Sequence, residues 1–271
     1  MFKVSKNFRQ AFLSFVSAAT AVAVIAGCSP AKTNDAQPAK TELTISAAAS
    51  LTDALTEVKA SFEAEFPEVS LAFNYGGSGK LATQIEQGTP VDVFISASKK
   101  DMDRLEEKEL ILKDTRRTIA SNEVVLIAPT ATALQLTNFD TIKPEMVKQI
   151  SIGNPETVPA GRYAQEIFEK LGLWEKVKDK LVLANDVRQV LTYVETGNVD
   201  LGVVYATDAK TSDKIKVLGT AKTEWHKPIV YPAAVVVQSK HPKEAKTFAE
   251  YLTSDKAKEI LEKYGFLTNT K

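Results

Sequence analysis

The segment LTISAAASLTDALTEVKASFEAEF, residues 43–66, decides the architecture of the chain. Leu43, Ile45 and Ala47 alternate with polar residues, the two-residue period of a strand. The period then changes. Leu51, Ala54, Leu55, Val58, Phe62 and Phe66 recur at helical spacing and would cover one face of an amphipathic helix. Ser50, with Asp53 three residues on, reads as the side-chain cap between the two, and Pro67 ends the helix. A strand that passes into a helix through a small polar residue is the opening of an α/β unit.

The order continues outward from that segment, with no internal sequence repeat. Residues 69–74 read as a second strand, Tyr75-Gly76-Gly77-Ser78-Gly79 as a flexible turn, and residues 80–87 as a helix. Residues 91–97 read as a third strand, with Ser98 capping a helix that begins at Lys99. Alternation of this kind implies a largely parallel sheet with helices on both faces, and such sheets bind ligands beyond the carboxyl ends of their strands. Further along, 124–128, 150–153, 181–184, 201–205 and 233–237 read as strands. A helix over 162–171 stops at Gly172, Asp186 caps a helix to about 196, and 242–264 is mainly helical. The expected fold is α/β and two-lobed, each lobe a mostly parallel sheet flanked by helices. Residues 41–121 plus 232–271 would form lobe 1 and residues 122–231 lobe 2. Two crossings permit hinge closure on a ligand in the cleft between them.

The N-terminus reads as an address rather than as fold. Lys3, Lys6 and Arg9 precede an apolar stretch that ends in small residues and is short for a membrane span, so residues 1–27 have the pattern of a secretory signal. Ile25-Ala26-Gly27-Cys28 resembles the bacterial lipobox, in which the cysteine is lipidated and becomes the mature N-terminus. Cys28 is the only cysteine, so no internal disulfide can form. An ordinary cleaved signal beside a stray cysteine is the plainer alternative. Residues 28–40 would then be a lipidated N-terminus and polar tether. The reading places the protein outside the cytoplasm, anchored to a membrane by its N-terminal lipid, at the cell surface or in the periplasm.

Charge excludes some partners. The full chain carries 34 Lys+Arg against 34 Asp+Glu, and the signal holds three of the bases and no acid. Neither a basic excess nor a run of like charge suggests nucleic acid.

Four strand-to-helix junctions carry small or capping residues: Ser50-Leu51, Ser78-Gly79, Ala160-Gly161 and Asp186-Val187. The first N–H groups of a helix lack partners within it and carry partial positive charge, so these junctions can bind an anion without Lys or Arg. Two fall on each expected lobe, an arrangement suited to a tetrahedral oxyanion. Lys80, Arg162 and Arg188 lie just inside helix starts. Either they clamp the anion, or they are solvated or paired with acids on the lobe surface; the long basic side chain, which keeps its head in water, favours the second.

At these same residues the chain resembles the periplasmic molybdate-binding proteins of ABC importers, which have the type II periplasmic binding fold. The resemblance rests on several segments in order. They are Ala47-Ala48-Ala49-Ser50-Leu51-Thr52, Gly77-Ser78-Gly79-Lys80-Leu81-Ala82, Gly153-Asn154-Pro155-Glu156 with Val158-Pro159-Ala160-Gly161, Asp186-Val187-Arg188, and Gly202-Val203-Val204-Tyr205. It covers residue 42 to the C-terminus. It implies that Ser50 and Ser78 bind the anion through hydroxyl and backbone N–H, Ala160 and Val187 through backbone N–H, and Tyr205 through its phenol. All five would touch the molybdate oxygens and not the metal. It further implies molybdate or tungstate as ligand, no cofactor, a monomer, and an ABC permease with its ATPase as partners. Gly76-Gly77 departs from the serine-rich second segment of the family and bears on selectivity.

The alternatives are a binding protein for another tetrahedral oxyanion, such as sulfate or thiosulfate, and an enzyme on the same scaffold. Against the enzyme, His226 and His241 lie near none of the junctions, and no Ser-His-acid set or metal-ligand cluster is visible.

Overall fold

The computed structural model describes residues 40–268; the expected signal, Cys28 and the tether to residue 39 lie outside the described residues. β1 (Thr41–Ala48) leads through a 3-10 turn, Ala49–Leu51, into α1 (Thr52–Glu65). β2 (Val69–Gly76), α2 (Ser78–Glu86), β3 (Val93–Ile95) and α3 (Lys99–Glu107) follow, and β4 (Arg117–Ser121) closes this part of the chain. Two residues later β5 (Val124–Pro129) opens a second set: β6 (Ile150–Gly153), α4 (Pro159–Lys170), α5 (Trp174–Val177), β7 (Leu181–Ala184), α6 (Val187–Glu195), β8 (Leu201–Tyr205), α7 (Ala206–Ala209) and β9 (Ile215–Thr220). The chain then returns through β10 (Val230–Val235) to α8 (Pro242–Tyr251) and α9 (Asp255–Lys263).

Each set of strands forms one five-stranded sheet, ordered β2-β1-β3-β10-β4 and β7-β6-β8-β5-β9. The parallel pairing expected from the β-α order holds for β1 with β2 and β3, and for β6 with β7 and β8. The strands at the crossings differ. β10 is antiparallel to β3 and β4, and β5 is antiparallel to β8 and β9, so both sheets are mixed. β5 and β10 are the first strands after each crossing between the sheets, and both run against their neighbours. β10 spans Val230–Val235 where 233–237 was expected, and its register against β4 shifts between Tyr231 and Pro232, where the proline is accommodated. β4 and β9 were not expected. β9 is an edge strand with a single buried residue, Ile215, and so lacks a clear period.

The core follows the apolar pattern of the opening segment. Leu43, Ile45, Leu55, Val58 and Phe62 are all fully buried. Phe62 meets Phe248 of α8 edge-on at 5.1 Å, and Tyr264, beyond α9, donates from Oη to Glu57 at 2.9 Å. The C-terminal helices thus pack back on α1, which fixes the helix whose start forms one wall of the cleft.

Candidate functional site

Ser50 sits within the 3-10 turn, not at a helix cap. The turn moves the start of α1 to Thr52 and makes Leu51 its N-cap residue, so the expected capping box with Asp53 does not form. The Ser50 hydroxyl turns instead to Tyr231, with Oγ 3.0 Å from the phenolic oxygen. Ser78 is the first residue of α2, which begins two residues before the expected Lys80; its Oγ accepts from the Ala97 N–H at 3.0 Å. Ala160 is the second residue of α4. That helix starts at Pro159, ahead of the expected 162, because proline is preorganised for the first helical position. Val187 is the first residue of α6, and Asp186 caps it as expected, accepting from the Gln189 N–H at 2.9 Å.

Tyr205 ends β8. Its ring is 1% exposed and lies edge-on to Tyr231, 5.9 Å away, and to Tyr163, 6.5 Å away. Among the described residues, its Oη is the one buried side-chain polar atom with neither a hydrogen-bond nor an ion-pair partner. A buried hydroxyl left this way costs about 1–3 kcal/mol, so such groups mark a missing partner. Burial pushes the phenol well above its ordinary value, which keeps it a neutral O–H donor.

Ser50, Ser78, Ala160, Val187 and Tyr205 all line one small pocket, together with Gly76, Gly77 and Ala97. Among the described residues that line it, no side chain is charged. Polarity comes from hydroxyls and from N–H groups in first helical turns, where no carbonyl of the same helix can reach them. Such a site favours a small anion rich in acceptor oxygens. Among the described residues no cluster of His, Cys, Asp and Glu could hold a metal ion, and no helix is long and apolar enough to cross a membrane.

The basic residues stay out of the pocket. Lys80 is exposed. Arg162 pairs with Asp101 of α3, and Arg188 reaches Asp53 of α1 and Asp208 of α7, each at 2.6 Å. The expected alternative to clamping was solvation or pairing with acids on the lobe surface; the arginines instead reach Asp101 and Asp53 of the opposite lobe, and the Arg162–Asp101 pair is largely buried, which was not legible. A backbone bond adds to these contacts, from the Gly79 N–H to the Thr157 carbonyl at 2.9 Å, so the lobes are closed on each other. Sequence reasoning also missed Tyr231 and Asn122. A tyrosine inside the apolar run from Ile229 to Val235 was the available signal, since a buried phenol needs a partner for its hydroxyl.

Residues 43–267 match the family described as Bacterial extracellular solute-binding protein. A Bacillus subtilis protein named "Putative ABC transporter substrate-binding lipoprotein YvgL" is 46% identical over 252 residues, which is 93% of this chain and 96% of that protein. The molybdate-binding protein ModA of Haemophilus influenzae is 41% identical over 233 residues, 84% of this chain and 91% of the relative. The solved periplasmic molybdate-binding protein of Azotobacter vinelandii superposes with a TM-score of 0.76 at 23% identity, covering 84% of this chain and all of that one, and so supports the fold.

Proposed function

The chain belongs to the family of bacterial extracellular solute-binding proteins, and from that premise we propose that it captures molybdate, and tungstate with it, for an ABC importer. It is a transport protein and not an enzyme. The observation that carries the choice of ligand is the unpartnered Tyr205 hydroxyl, buried in a pocket that offers hydroxyls and helix starts and no charged side chain. Molybdate is a fully ionised dianion near neutral pH, and every one of its oxygens accepts. Neutral donors held by the fold meet such an ion with little reorganisation. The relatives named as molybdate-binding support the same reading.

In this reading Ser50, Ser78, Ala160, Val187 and Tyr205 bind the oxyanion oxygens. Lobe 1 comprises residues 41–121 and 232–271, lobe 2 residues 122–231, and the ligand is held where they close. Lipidated Cys28 and the tether to residue 40 anchor a monomer to the membrane beside its permease and ATPase.

Calorimetry on residues 29–271 with molybdate, tungstate, sulfate and phosphate tests the proposal. Molybdate and tungstate are expected to bind at submicromolar levels and sulfate at least about a hundredfold more weakly, a gap of roughly 2.7 kcal/mol. Sulfate and molybdate share shape and charge, so equal affinity would transfer the protein to the sulfate-type alternative.

A further inference from the structure

Ser50 ends a hydrogen-bonded chain that runs through Tyr231 and Asn122 to Thr207, from the first sheet, across the crossing between β4 and β5, to α7. Asn122 Nδ2 lies 2.9 Å from Thr207 Oγ1 and 3.2 Å from Tyr231 Oη, and Tyr231 Oη lies 3.0 Å from Ser50 Oγ. Tyr231 is fully buried and Asn122 nearly so, which leaves little room for water to offer other partners.

The direction of every proton in this chain follows from its fixed end. The Glu123 backbone N–H can only donate, and it meets Asn122 Oδ1 at 2.9 Å. That contact fixes the amide, and its Nδ2 can only donate. Its two hydrogens go to Thr207 and Tyr231. Tyr231 Oη therefore accepts from Asn122. Of the two directions open to the Tyr231–Ser50 contact, the one in which Tyr231 donates leaves no buried phenolic hydrogen without an acceptor. Ser50 accepts in turn, and its hydrogen is free for the pocket that it lines. Ser78 reaches the same state by another route, because its Oγ accepts from the Ala97 N–H.

We propose that Tyr231 and Asn122 are positioning residues that hold the Ser50 hydroxyl as a donor, and that this polarity makes the pocket prefer an unprotonated oxyanion over one that carries a proton. The inference deepens the oxyanion-binding reading and rests on it. A hydroxyl free to rotate can give its hydrogen to one guest and accept from another. A hydroxyl already accepting from Tyr231 offers its hydrogen, and the O–H of hydrogen phosphate finds no partner in it.

Asn122→Asp reverses the chain. A carboxylate accepts from Tyr231, Tyr231 then accepts from Ser50, and Ser50 turns a lone pair to the pocket. Sulfate and hydrogen phosphate are close in size and equal in charge at mildly alkaline pH, so the added carboxylate repels both alike and their affinity ratio isolates the proton. The measurement is competition of each against molybdate, on wild type, Asn122→Asp and Tyr231→Phe. The preference for sulfate over hydrogen phosphate is expected to fall about tenfold in Asn122→Asp, the worth of one hydrogen bond to an ion. It should fall about threefold in Tyr231→Phe, where Ser50 is freed but not reversed; that variant alone decides the matter if Asn122→Asp does not fold. An unchanged ratio in the folded variants overturns the inference while leaving the site in place. A wild-type protein that binds no molybdate instead overturns the reading on which it rests.

Discussion

Arg162 of α4 and Asp101 of α3 form an ion pair between the lobes that is almost closed to solvent, the side chains being 13% and 4% exposed. Burial pushes the Asp101 carboxyl above its usual range, and the neighbouring Arg162 opposes that shift most strongly. Opening the lobes would hydrate both groups. The pair therefore bears on closure more than on folding of either lobe, and in the proposed function closure is coupled to ligand binding.

Arg162→Ala leaves Asp101 buried without its cation in the closed form. Affinity for molybdate is expected to fall about tenfold, with Asp101→Asn costing somewhat less and the double variant less than the sum of the two. Calorimetry at low and high salt distinguishes this from long-range attraction. A buried pair is screened little, whereas steering by an exposed charge weakens steeply with salt. A variant that alters only the salt dependence would leave the pair without a role in closure.

The unpartnered Tyr205 hydroxyl separates binding from stability. Tyr205→Phe removes a polar atom that has no partner within the protein in the closed form, so its melting temperature without molybdate should stay close to that of wild type. Its affinity for molybdate should fall by about 1.5–3 kcal/mol, the range for a hydrogen bond to a charged group, and Ser50→Ala and Ser78→Ala should each lose a similar amount. Val187→Ala should bind as wild type does, because the proposed contact there is a backbone N–H. Melting curves with and without molybdate read both effects. A large loss at Val187, or full retention at Tyr205, would contradict the assignment.

Four of the junctions that line the candidate pocket were legible because they sit where a local pattern changes period, whereas Tyr205 came only from the resemblance to the molybdate-binding family. The strand-to-helix switch at 47–52 and the Asp186 cap need only a few neighbouring residues to be read. What the local pattern could not show is where a side chain turns when its partner is distant. Ser50 followed by Asp53 has the spelling of a capping box, yet its hydroxyl goes to Tyr231, 181 residues away. Arg162 and Arg188 find acids on the opposite lobe, 61 and 135 residues away. The same limit applies to strands. β1 carries a buried face and announces itself, while β9, held mainly by pairing with β5 at a sheet edge, does not.

Asp208 gives the pH dependence. It is fully buried, accepts from the Tyr205 N–H at 3.2 Å and pairs with Arg188. Burial outweighs Arg188 and pushes its carboxyl up to about 6 from the ordinary 3.8. The folded protein thus holds this proton more tightly than the unfolded chain. The contribution of Asp208 to stability is fully present below the unfolded value and is lost as pH rises through about 6. Urea unfolding of wild type relative to Asp208→Asn should show wild type losing ground between about pH 4 and pH 7, on the order of 1–3 kcal/mol. The opposite slope would mean that the pairing with Arg188 outweighs the cost of burial.

Two glycines separate closure from folding. Gly79 lies in the first turn of α2, and a Cβ placed there would sit 2.8 Å from the Thr157 carbonyl oxygen and 3.0 Å from its Cα, both backbone atoms of the other lobe. Gly161 lies in the first turn of α4, and a Cβ there would fall 1.8 Å from the Gly153 carbonyl oxygen within the same lobe. Alanine is the better helix former by about 1 kcal/mol, so Gly79→Ala should leave the ligand-free protein as stable as wild type or more so. The clash appears only when the lobes meet, and molybdate affinity is expected to fall about a hundredfold. In Gly161→Ala no movement of the lobes relieves the contact, and the fold itself should lose about 2–3 kcal/mol. Urea unfolding and calorimetry on the two variants read these effects independently. Wild-type affinity in Gly79→Ala would show that the approach of α2 to Thr157 is not part of the ligand-bound form, and the closed cleft would then have to be held by other contacts, the Arg162 and Arg188 pairs among them.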